Sequence, residues 1–266
     1  MTLVADYHLH TVLCKHAIGQ PSDFEKRALE LGLCEIGFSD HMPSVDGYDP
    51  KHRMVLEEFP RYLEMVQGLA QKANIPIRLG IEADYYLGSE TFLEKWLSSQ
   101  PFDFVLGSIH FLDGWGFDDP EQLPVWERVD VKETWERYFS LLKRLVETGL
   151  FDIVAHMDLP KKFGHTPNKT IIQRLAEPVL DLMALKGMAL EVNTSGLRKP
   201  VGEIYPSKLI LAMAKERDIP ICFGSDAHRP EEVGFKFEEA LRLVKDLGFL
   251  NYVRFRKRQK IFYNLP

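Results

Sequence analysis

The chain has 266 residues, 45% of them apolar, and a formal net charge of −6. This length suits one α/β barrel, so we expect residues 1–266 to form a single domain. The acidic charge gives no general attraction to nucleic acid or to anionic membranes. No apolar run approaches the roughly 20 residues of a membrane-spanning helix, and the N-terminus lacks a signal-peptide pattern. We therefore expect a soluble, cytoplasmic protein that binds neither nucleic acid nor membrane.

Short apolar runs alternate with amphipathic stretches along the whole chain. Strands are predicted at residues 3–8, 35–39, 77–82, 104–109, 153–156, 188–192 and 219–224. Helices are predicted at residues 23–31, 56–73, 90–97, 132–148, 171–186, 207–217 and 231–247. Strands that are apolar throughout are typical of a sheet covered on both faces. Seven strand–helix units favour a parallel barrel, although an open doubly wound sheet fits the same pattern.

Histidines and carboxylates are concentrated at the ends of the predicted strands. Seven of the nine histidines lie there with two acidic residues: His8, His10, His16, His41, Glu82, His110, His156, Asp226 and His228. In a parallel barrel the carboxyl ends of the strands form one mouth, so these side chains are expected to converge. One isolated histidine is more simply a core or cap residue, but that explanation fails for seven at successive strand ends. His52 and His165 lie in predicted loops outside this pattern and are expected at the surface.

The spacing of the ligands has a direct geometric meaning. Residues two apart in a strand point to the same face, so His8 and His10 can hold one ion, and Asp226 and His228 repeat that spacing. Imidazole nitrogens combined with carboxylate oxygens suit zinc, iron or manganese better than calcium or magnesium. The candidates are too many for one tetrahedral ion. They suffice for two or three, with a carboxylate such as Glu82 bridging a pair.

Five motifs, in this order, resemble those of the polymerase and histidinol phosphatase (PHP) superfamily. They are DYHLHT at residues 6–11, FSDH at 38–41, GIE at 80–82, SIH at 108–110 and GSDAH at 224–228. The resemblance implies a distorted TIM-like (β/α)7 barrel with three divalent ions, which would be zinc, iron or manganese. It further implies one ion at His8, His10, Glu82 and Asp226, a second at Glu82, His110 and His156, and a third at His16, His41 and His228.

Two further segments resemble the histidinol-phosphatase branch of that superfamily. They are DGWGFD at residues 113–118, and GLFDI at 149–153 leading into HMDLPKKF at 156–163. This likeness implies a phosphomonoesterase that hydrolyses L-histidinol phosphate to L-histidinol and phosphate, a reaction of histidine biosynthesis. The expected partner is therefore a small phosphorylated metabolite, and a homo-oligomer is compatible with the sequence.

Metal ions lower the pKa of bound water and stabilise charge on phosphoryl oxygens, so we expect in-line attack by a metal-bridging hydroxide. Glu82 and Asp226 are the carboxylates expected at the reaction centre. Arg198, after the sixth predicted strand, is the candidate phosphate clamp because a guanidinium matches phosphate oxygens in a fork. Lys161 is a further candidate for substrate binding, and an exposed loop cation is the alternative for both. Asp158 and Asp40 adjoin predicted ligands and could orient imidazoles.

The histidinol moiety is a cation, so the pocket should offer it a carboxylate or an aromatic face. Six residues near the ligand loops are available, and the sequence does not choose among them: Trp115, Phe117, Asp113, Asp118, Tyr85 and Tyr86. Trp126 and Trp135 are expected to pack in the core or on a helix face.

Four other functions fit parts of the pattern. A phosphatase acting on another small phosphate ester would share the metal site. A PHP phosphodiesterase or exonuclease would also share it, but the chain lacks a polymerase region and a second basic groove. The basic run at residues 254–260 is short and is expected to be a solvated face or a subunit contact. An amidohydrolase is disfavoured because no lysine lies at a strand end to bridge two metals. A metal-bound regulatory protein is disfavoured by the complete ligand set.

Overall fold

The computed structural model describes residues 4–45 and 47–266, and eleven strands and seven α-helices lie in this part of the chain. The strands are β1 Asp6–Leu9, β2 Ile36–Phe38, β3 Ile77–Asp84, β4 Phe104–Ser108, β5 Phe111–Leu112, β6 Trp115–Gly116, β7 Ile153–Val154, β8 Ala189–Asn193, β9 Ile221–Gly224, β10 Asn251–Arg256 and β11 Gln259–Asn264. The helices are α1 Pro21–Leu31, α2 Phe59–Ala70, α3 Glu90–Ser99, α4 Val131–Thr148, α5 Lys169–Lys186, α6 Lys208–Glu216 and α7 Phe237–Asp246.

Seven strands form one parallel sheet in the order β1-β2-β3-β4-β7-β8-β9. Its first and last strands approach each other, where Leu9 and Ala227 form a parallel bridge. Two backbone hydrogen bonds join this seam, from His10 N to Ala227 O and from Ala227 N to His8 O, each 3.0 Å long. The sheet is therefore a nearly closed, distorted TIM-like barrel, as the sequence predicted. The open doubly wound alternative is excluded.

The ring of one phenylalanine packs against two glycines of the barrel strands. Phe104, on β4, is fully buried, and its ring lies where side chains on β2 and β3 would otherwise stand. A Cβ atom added to Gly37 would be 2.6 Å from this ring, and one added to Gly80 would be 2.3 Å from it. Distances below 3 Å force a neighbour to shift. The two glycines thus allow the tight packing of a small barrel.

The predicted elements match the structure best in their interiors and least at their ends. β1 begins at Asp6, and Leu3 of the predicted first strand lies outside the described residues. The predicted strand at 153–156 is shorter, because only Ile153–Val154 pairs in the sheet. The predicted helix at 231–247 is also shorter. A 3-10 turn at Pro230–Glu232 and a positive φ at Gly234 precede α7, which begins at Phe237.

The basic run at residues 254–260 forms the turn and the adjoining half of an antiparallel hairpin, β10 and β11, which was not predicted. Its turn residues Lys257 and Arg258 both have positive φ. Lys257 N donates to Asp103 Oδ1 at 2.9 Å, and Arg258 forms an ion pair with Asp152. The run is therefore partly engaged with the chain between the barrel strands. None of the helices in the described ranges combines the length and the apolarity that crossing a membrane requires.

Candidate metal centre

The nine side chains predicted as metal ligands converge at the carboxyl end of the barrel, with Glu82 at their centre. Glu82 lies on β3, and its carboxylate is fully buried. Its Oε2 lies 2.8 Å from His41 Nδ1 and 3.4 Å from His8 Nε2. Its Oε1 lies 3.0 Å from His156 Nε2 and 3.5 Å from His110 Nε2. One carboxylate thus stands between histidines of four different segments, which is the position of a bridging ligand.

The first and last barrel strands supply a second set of donors beside Glu82. His10 Nε2 lies 3.3 Å from Asp226 Oδ1. The ring of His10 stacks on that of His228 at 4.0 Å, and the ring of His16 stacks on His228 at 4.4 Å. The donor atoms of His10, His41 and His228 lie within 4.8 Å of one another. The same holds for His8, His10 and Glu82. These are distances at which several side chains can share ions.

Two of the predicted ligands have unusual backbone conformations. His156 has φ 22° and Asp226 has φ 52°, although neither is a glycine. Such conformations cost on the order of 1–3 kcal/mol each and persist only where surrounding contacts impose them. The backbone N–H of His156 is held by Glu191 Oε2 at 2.9 Å. The strain directs both side chains out of the strand path and towards the common centre.

Several of the converging donors are buried without a hydrogen-bond partner in the described part of the chain. They are His8 Nε2, His10 Nε2 and His228 Nε2. A buried polar atom that is left unpaired costs about 1–3 kcal/mol of stability. Several such atoms close together therefore indicate that another partner binds them. Imidazole nitrogens and carboxylate oxygens are ligands of zinc, iron and manganese. The donor set therefore fits divalent transition-metal ions.

Two carboxylates that the sequence did not assign support the histidines from behind. Glu191 Oε1, on β8, lies 2.6 Å from His8 Nδ1, and Asp84 Oδ1 lies 2.8 Å from His110 Nδ1. A carboxylate on the far nitrogen fixes the tautomer and orientation of an imidazole ligand. Glu191 lies inside an otherwise apolar predicted strand, and Asp84 lies just after one. An acidic residue at such a position was the feature of the sequence that could have indicated a role in the site.

Of the two aspartates expected to orient imidazoles, Asp40 does lie near one. Its Oδ1 is 3.5 Å from His10 Nδ1, and it also accepts a hydrogen bond from the Thr11 hydroxyl. Asp158 has different partners, because its Oδ2 accepts from Ser207 N at 2.8 Å and pairs with Lys161 at 3.0 Å. It therefore anchors the loop after β8, and the expectation that it orients an imidazole is wrong.

The electrostatics of the site favour ionised carboxylates. Burial alone would raise the pKa of Glu82, but His41, His8 and their neighbours hold it well below the ordinary value. Burial would also raise the pKa of Asp226, but His8 and the neighbouring histidines hold it well below its usual range. Burial lowers the pKa of His228 well below that of a free imidazole. The carboxylates thus stay charged, and a neutral His228 keeps a lone pair for a metal.

A cavity of about 570 Å³ opens above these donors. Five of its lining residues are cations: Arg53, Lys162, Arg198, Lys199 and Arg229. Arg198 Nη2 donates to Ser225 O at 2.9 Å and to Asp226 O at 3.0 Å, which ties the guanidinium to the chain around one predicted ligand. Its Nη1 has no partner among the described residues. The structure thus brings Arg198 to the metal centre, where an anion would bind.

The structure does not place Lys161 among the cations that line the cavity. Its side chain is buried, and its Nζ contacts Asp158 Oδ2 at 3.0 Å, Glu203 Oε2 at 2.7 Å and Ile204 O at 2.8 Å. An ammonium group has three donors, so these contacts use all of them. The geometry therefore gives no support to substrate binding by Lys161, whereas the next residue, Lys162, lines the cavity.

The two histidines expected at the surface have different surroundings. His52 lines the cavity, and its ring meets that of His16 edge to face at 5.3 Å. Its Nδ1 pairs with Asp49 Oδ1 at 2.8 Å. His165 stacks on Trp126 at 4.6 Å, away from the predicted ligands. His52 therefore lies at the surface, as expected, with a side chain that is 39% exposed, and the loop before α2 also brings it to the cavity. Trp126 and Trp135 are core residues, as predicted.

A parallel barrel with clustered histidines and carboxylates at its carboxyl end defines a class of metal-dependent hydrolases. Comparison with known proteins agrees. The family model described as "PHP domain" matches residues 6–195, and that described as "PHP-associated" matches residues 208–247. The chain therefore belongs to the PHP domain family.

The relatives place it more narrowly. A protein of Deinococcus radiodurans named probable histidinol-phosphatase is 43% identical over 261 residues, covering 97% of this chain and 99% of the relative. Histidinol-phosphatase of Bacillus subtilis is 29% identical, and the match covers 89% of this chain and 97% of the relative. The crystal structure of histidinol phosphate phosphatase from Lactococcus lactis, complexed with zinc, L-histidinol and phosphate, gives a TM-score of 0.81 at 22% identity, covering 97% and 98% of the two chains. The chain is an enzyme of this type, a phosphoric monoester hydrolase.

Proposed function

We propose that the chain hydrolyses L-histidinol phosphate to L-histidinol and phosphate, a reaction of histidine biosynthesis. The observation that carries the proposal is the convergence of nine metal-competent side chains beneath a cavity lined by Lys162, Arg198 and Lys199. The likeness to curated histidinol-phosphatases over nearly the whole chain supports the substrate. The zinc, histidinol and phosphate of the Lactococcus lactis enzyme are consistent with this chemistry.

We further propose that three divalent ions occupy the centre. The first would be held by His8, His10, Glu82 and Asp226, the second by Glu82, His110 and His156, and the third by His16, His41 and His228. The grouping of His8, His10 and Glu82 donor atoms supports the first site, and the approach of His156 and His110 to Glu82 Oε1 supports the second. When bound, such ions lower the pKa of water and neutralise phosphoryl oxygens.

The chain's own residues then have distinct tasks. Glu82 and Asp226 are catalytic carboxylates whose charge balances part of the metal charge. Arg198 is the phosphate clamp, and its anchoring to Ser225 O and Asp226 O keeps it in register with the metal ligands. Glu191 and Asp84 hold His8 and His110 in their ligand orientations. Preorganised groups of this kind cost no reorganisation when substrate charge develops.

We also propose that residues 1–266 act as one barrel domain. The two family models divide the chain near residue 200, but β8 and β9 lie on either side of that division and pair with each other. Glu82 and Asp226 likewise come from the two different parts, and both lie next to His8. The site is thus built from both parts.

The test is steady-state phosphate release by protein reconstituted with zinc, manganese or iron. L-Histidinol phosphate is compared with other monoesters and with bis(4-nitrophenyl) phosphate, a diester. We expect histidinol phosphate to be preferred and Asp226→Asn to abolish turnover. Asp113→Asn, which changes an exposed carboxylate of a nearby loop, is the matched control and should retain activity. Faster turnover of the diester, or of another monoester, would contradict the proposed substrate while leaving the metal site intact.

A further inference from the structure

The structure selects one of the six residues available to the cationic end of the substrate. Asp118 lines the cavity above the metal centre. The other five do not line it: Trp115, Phe117, Asp113, Tyr85 and Tyr86. Phe117 and Tyr85 are buried, and Asp113 pairs with Arg137 on the outside of the barrel. Asp118 is therefore the residue of this group that a ligand at the centre can reach.

Asp118 is held firmly but keeps one carboxylate oxygen free. Its Oδ2 lies 3.0 Å from Lys162 Nζ, and the same ammonium donates to Asp118 O at 2.6 Å. No residue in the ranges 4–45 and 47–266 donates a hydrogen bond to Oδ1. The side chain is 19% exposed, so solvent or a ligand has access to it. The next residue, Asp119, caps the following 3-10 helix and fixes the backbone here.

The other acidic residues of the cavity wall are already engaged. Asp119 uses one oxygen for Glu121 N and the other for Gln122 Nε2. Asp49 pairs with His52 and Arg53 through its two oxygens. Glu232 accepts from His228 N and faces Arg198. Apart from the proposed metal ligands, Asp118 is thus the acidic residue of the described cavity wall that has an oxygen to spare.

The surroundings of Asp118 favour its ionised form. Burial would raise its pKa, but Lys162 and His110 hold the value below that of a free aspartate. His156 acts in the same direction. Asp118 lines the same cavity as His110 and His156, the proposed ligands of the second ion.

We infer that Asp118 binds the ammonium group of the substrate and thereby selects phosphate esters of amino alcohols. This rests on the proposed function, because it takes the phosphate to lie on the metal ions. In histidinol phosphate the amine is borne by the carbon next to the ester methylene, so the ammonium must meet the cavity wall close to the phosphate. A carboxylate at that wall would satisfy the amine, while Arg198 and Lys199, which line the same cavity, remain available to the phosphate. Asp118 is thus a specificity-determining residue.

The experiment compares two substrates that differ only in the amine. L-Histidinol phosphate is assayed beside 3-(imidazol-4-yl)propyl phosphate, which keeps the ring, the chain and the phosphate. For Asp118→Asn we expect kcat/KM on histidinol phosphate to fall about 10- to 100-fold, the value of one hydrogen bond to a charged group. We expect less than about a threefold change on the deamino ester. Asp118→Glu should recover part of the loss. Glu121→Gln is the control for an equal change of charge, because this carboxylate is 76% exposed and does not line the cavity.

A second measurement does not depend on turnover. Calorimetry of the metal-loaded protein with L-histidinol, in the presence of inorganic phosphate, should show the same 10- to 100-fold weakening in Asp118→Asn, about as expected for a lost charged hydrogen bond. Binding of phosphate alone should be unchanged. An equal loss on both esters would overturn the inference, since it would mean that Asp118 acts only by holding Lys162. A wild-type enzyme with no preference for the amine would also overturn it, while histidinol phosphate turnover would stand. Failure of the wild type to release phosphate from either ester would instead refute the proposed function.

Discussion

The change Glu191→Gln removes one charge from a buried hydrogen-bond network without changing its shape. Glu191 is 1% exposed, and its two oxygens face His8 Nδ1 at 2.6 Å and His156 N at 2.9 Å. Asn193 Nδ2 donates to the second oxygen at 3.1 Å. A carboxylate accepts at both oxygens, whereas an amide accepts at one and donates at the other. The glutamine therefore cannot reproduce the network in either orientation.

Both orientations disturb a predicted ligand. If the amide NH2 faces His8, the imidazole must carry its proton on Nε2, which is the nitrogen that faces Glu82. If the amide oxygen faces His8, the NH2 group meets two other donors, His156 N–H and the Asn193 amide. Loss of such a supporting contact typically lowers metal affinity about 10- to 100-fold. That range corresponds to about 1.4–2.8 kcal/mol.

The assay is competition for zinc between the protein and a chromogenic chelator, followed by phosphate release at saturating metal. We expect Glu191→Gln to lose metal at a chelator concentration that the wild type resists, and to regain part of its activity when metal is added back. Glu35→Gln is the matched control, a buried carboxylate at the other end of the barrel that pairs with Tyr7 and Arg78. Wild-type zinc affinity in Glu191→Gln, or equal losses in both variants, would refute the reasoning.

Three further predictions follow from the same contacts. In Gly224→Ala the new Cβ would lie 2.0 Å from Glu191 Oε1 and 2.7 Å from His8 Cβ, so we expect at least about a tenfold loss of zinc affinity in the same assay, and unchanged affinity would contradict it. Removal of metal by a chelator should lower the melting temperature by about 10 °C, because a ligand at 1,000 times its Kd stabilises the folded state by about 4 kcal/mol. If calorimetry shows an unchanged melting temperature, the ions make no structural contribution. Trp135→Ala removes a fully buried ring whose Nε1 donates to His165 O at 2.9 Å, and should lower the free energy of unfolding in urea by about 3–5 kcal/mol while the folded fraction keeps its kcat.

The sequence predicted the barrel well because its strands are short, apolar on both faces and separated by amphipathic helices. The ends of the elements were less accurate, since they depend on contacts between distant segments. The strand predicted at 153–156 ends at Val154 because Glu191, on a later strand, holds His156 N–H and turns the backbone. The hairpin β10–β11 was missed because its basic residues suggest a solvated face. Two of its turn residues are instead engaged by Asp103 and Asp152.

The same distinction applies to the site. Predicted ligands share a simple rule, since strand ends of a parallel barrel meet at one mouth. Supporting residues obey no such rule. Glu191 supports His8, which is 183 positions away, and Lys161 and Lys162 are neighbours with opposite surroundings. Spacing in the chain does not tell which of two adjacent lysines turns inward, because a 3-10 turn at Leu159–Phe163 sets that choice.

We expect metal binding and barrel closure to be coupled through the seam between the first and last parallel strands. Only one parallel bridge, Leu9 with Ala227, joins the two ends in the described part of the chain, whereas the neighbouring pair β8 and β9 has four registered positions. Predicted ligands stand on both sides of this bridge, His8 and His10 on one and Asp226 on the other. Ions shared across the seam would therefore supply the cohesion that the short backbone ladder lacks. A barrel built in this way gains stability from the same ligands that carry its chemistry, so loss of metal should loosen the seam before it loosens the rest of the sheet.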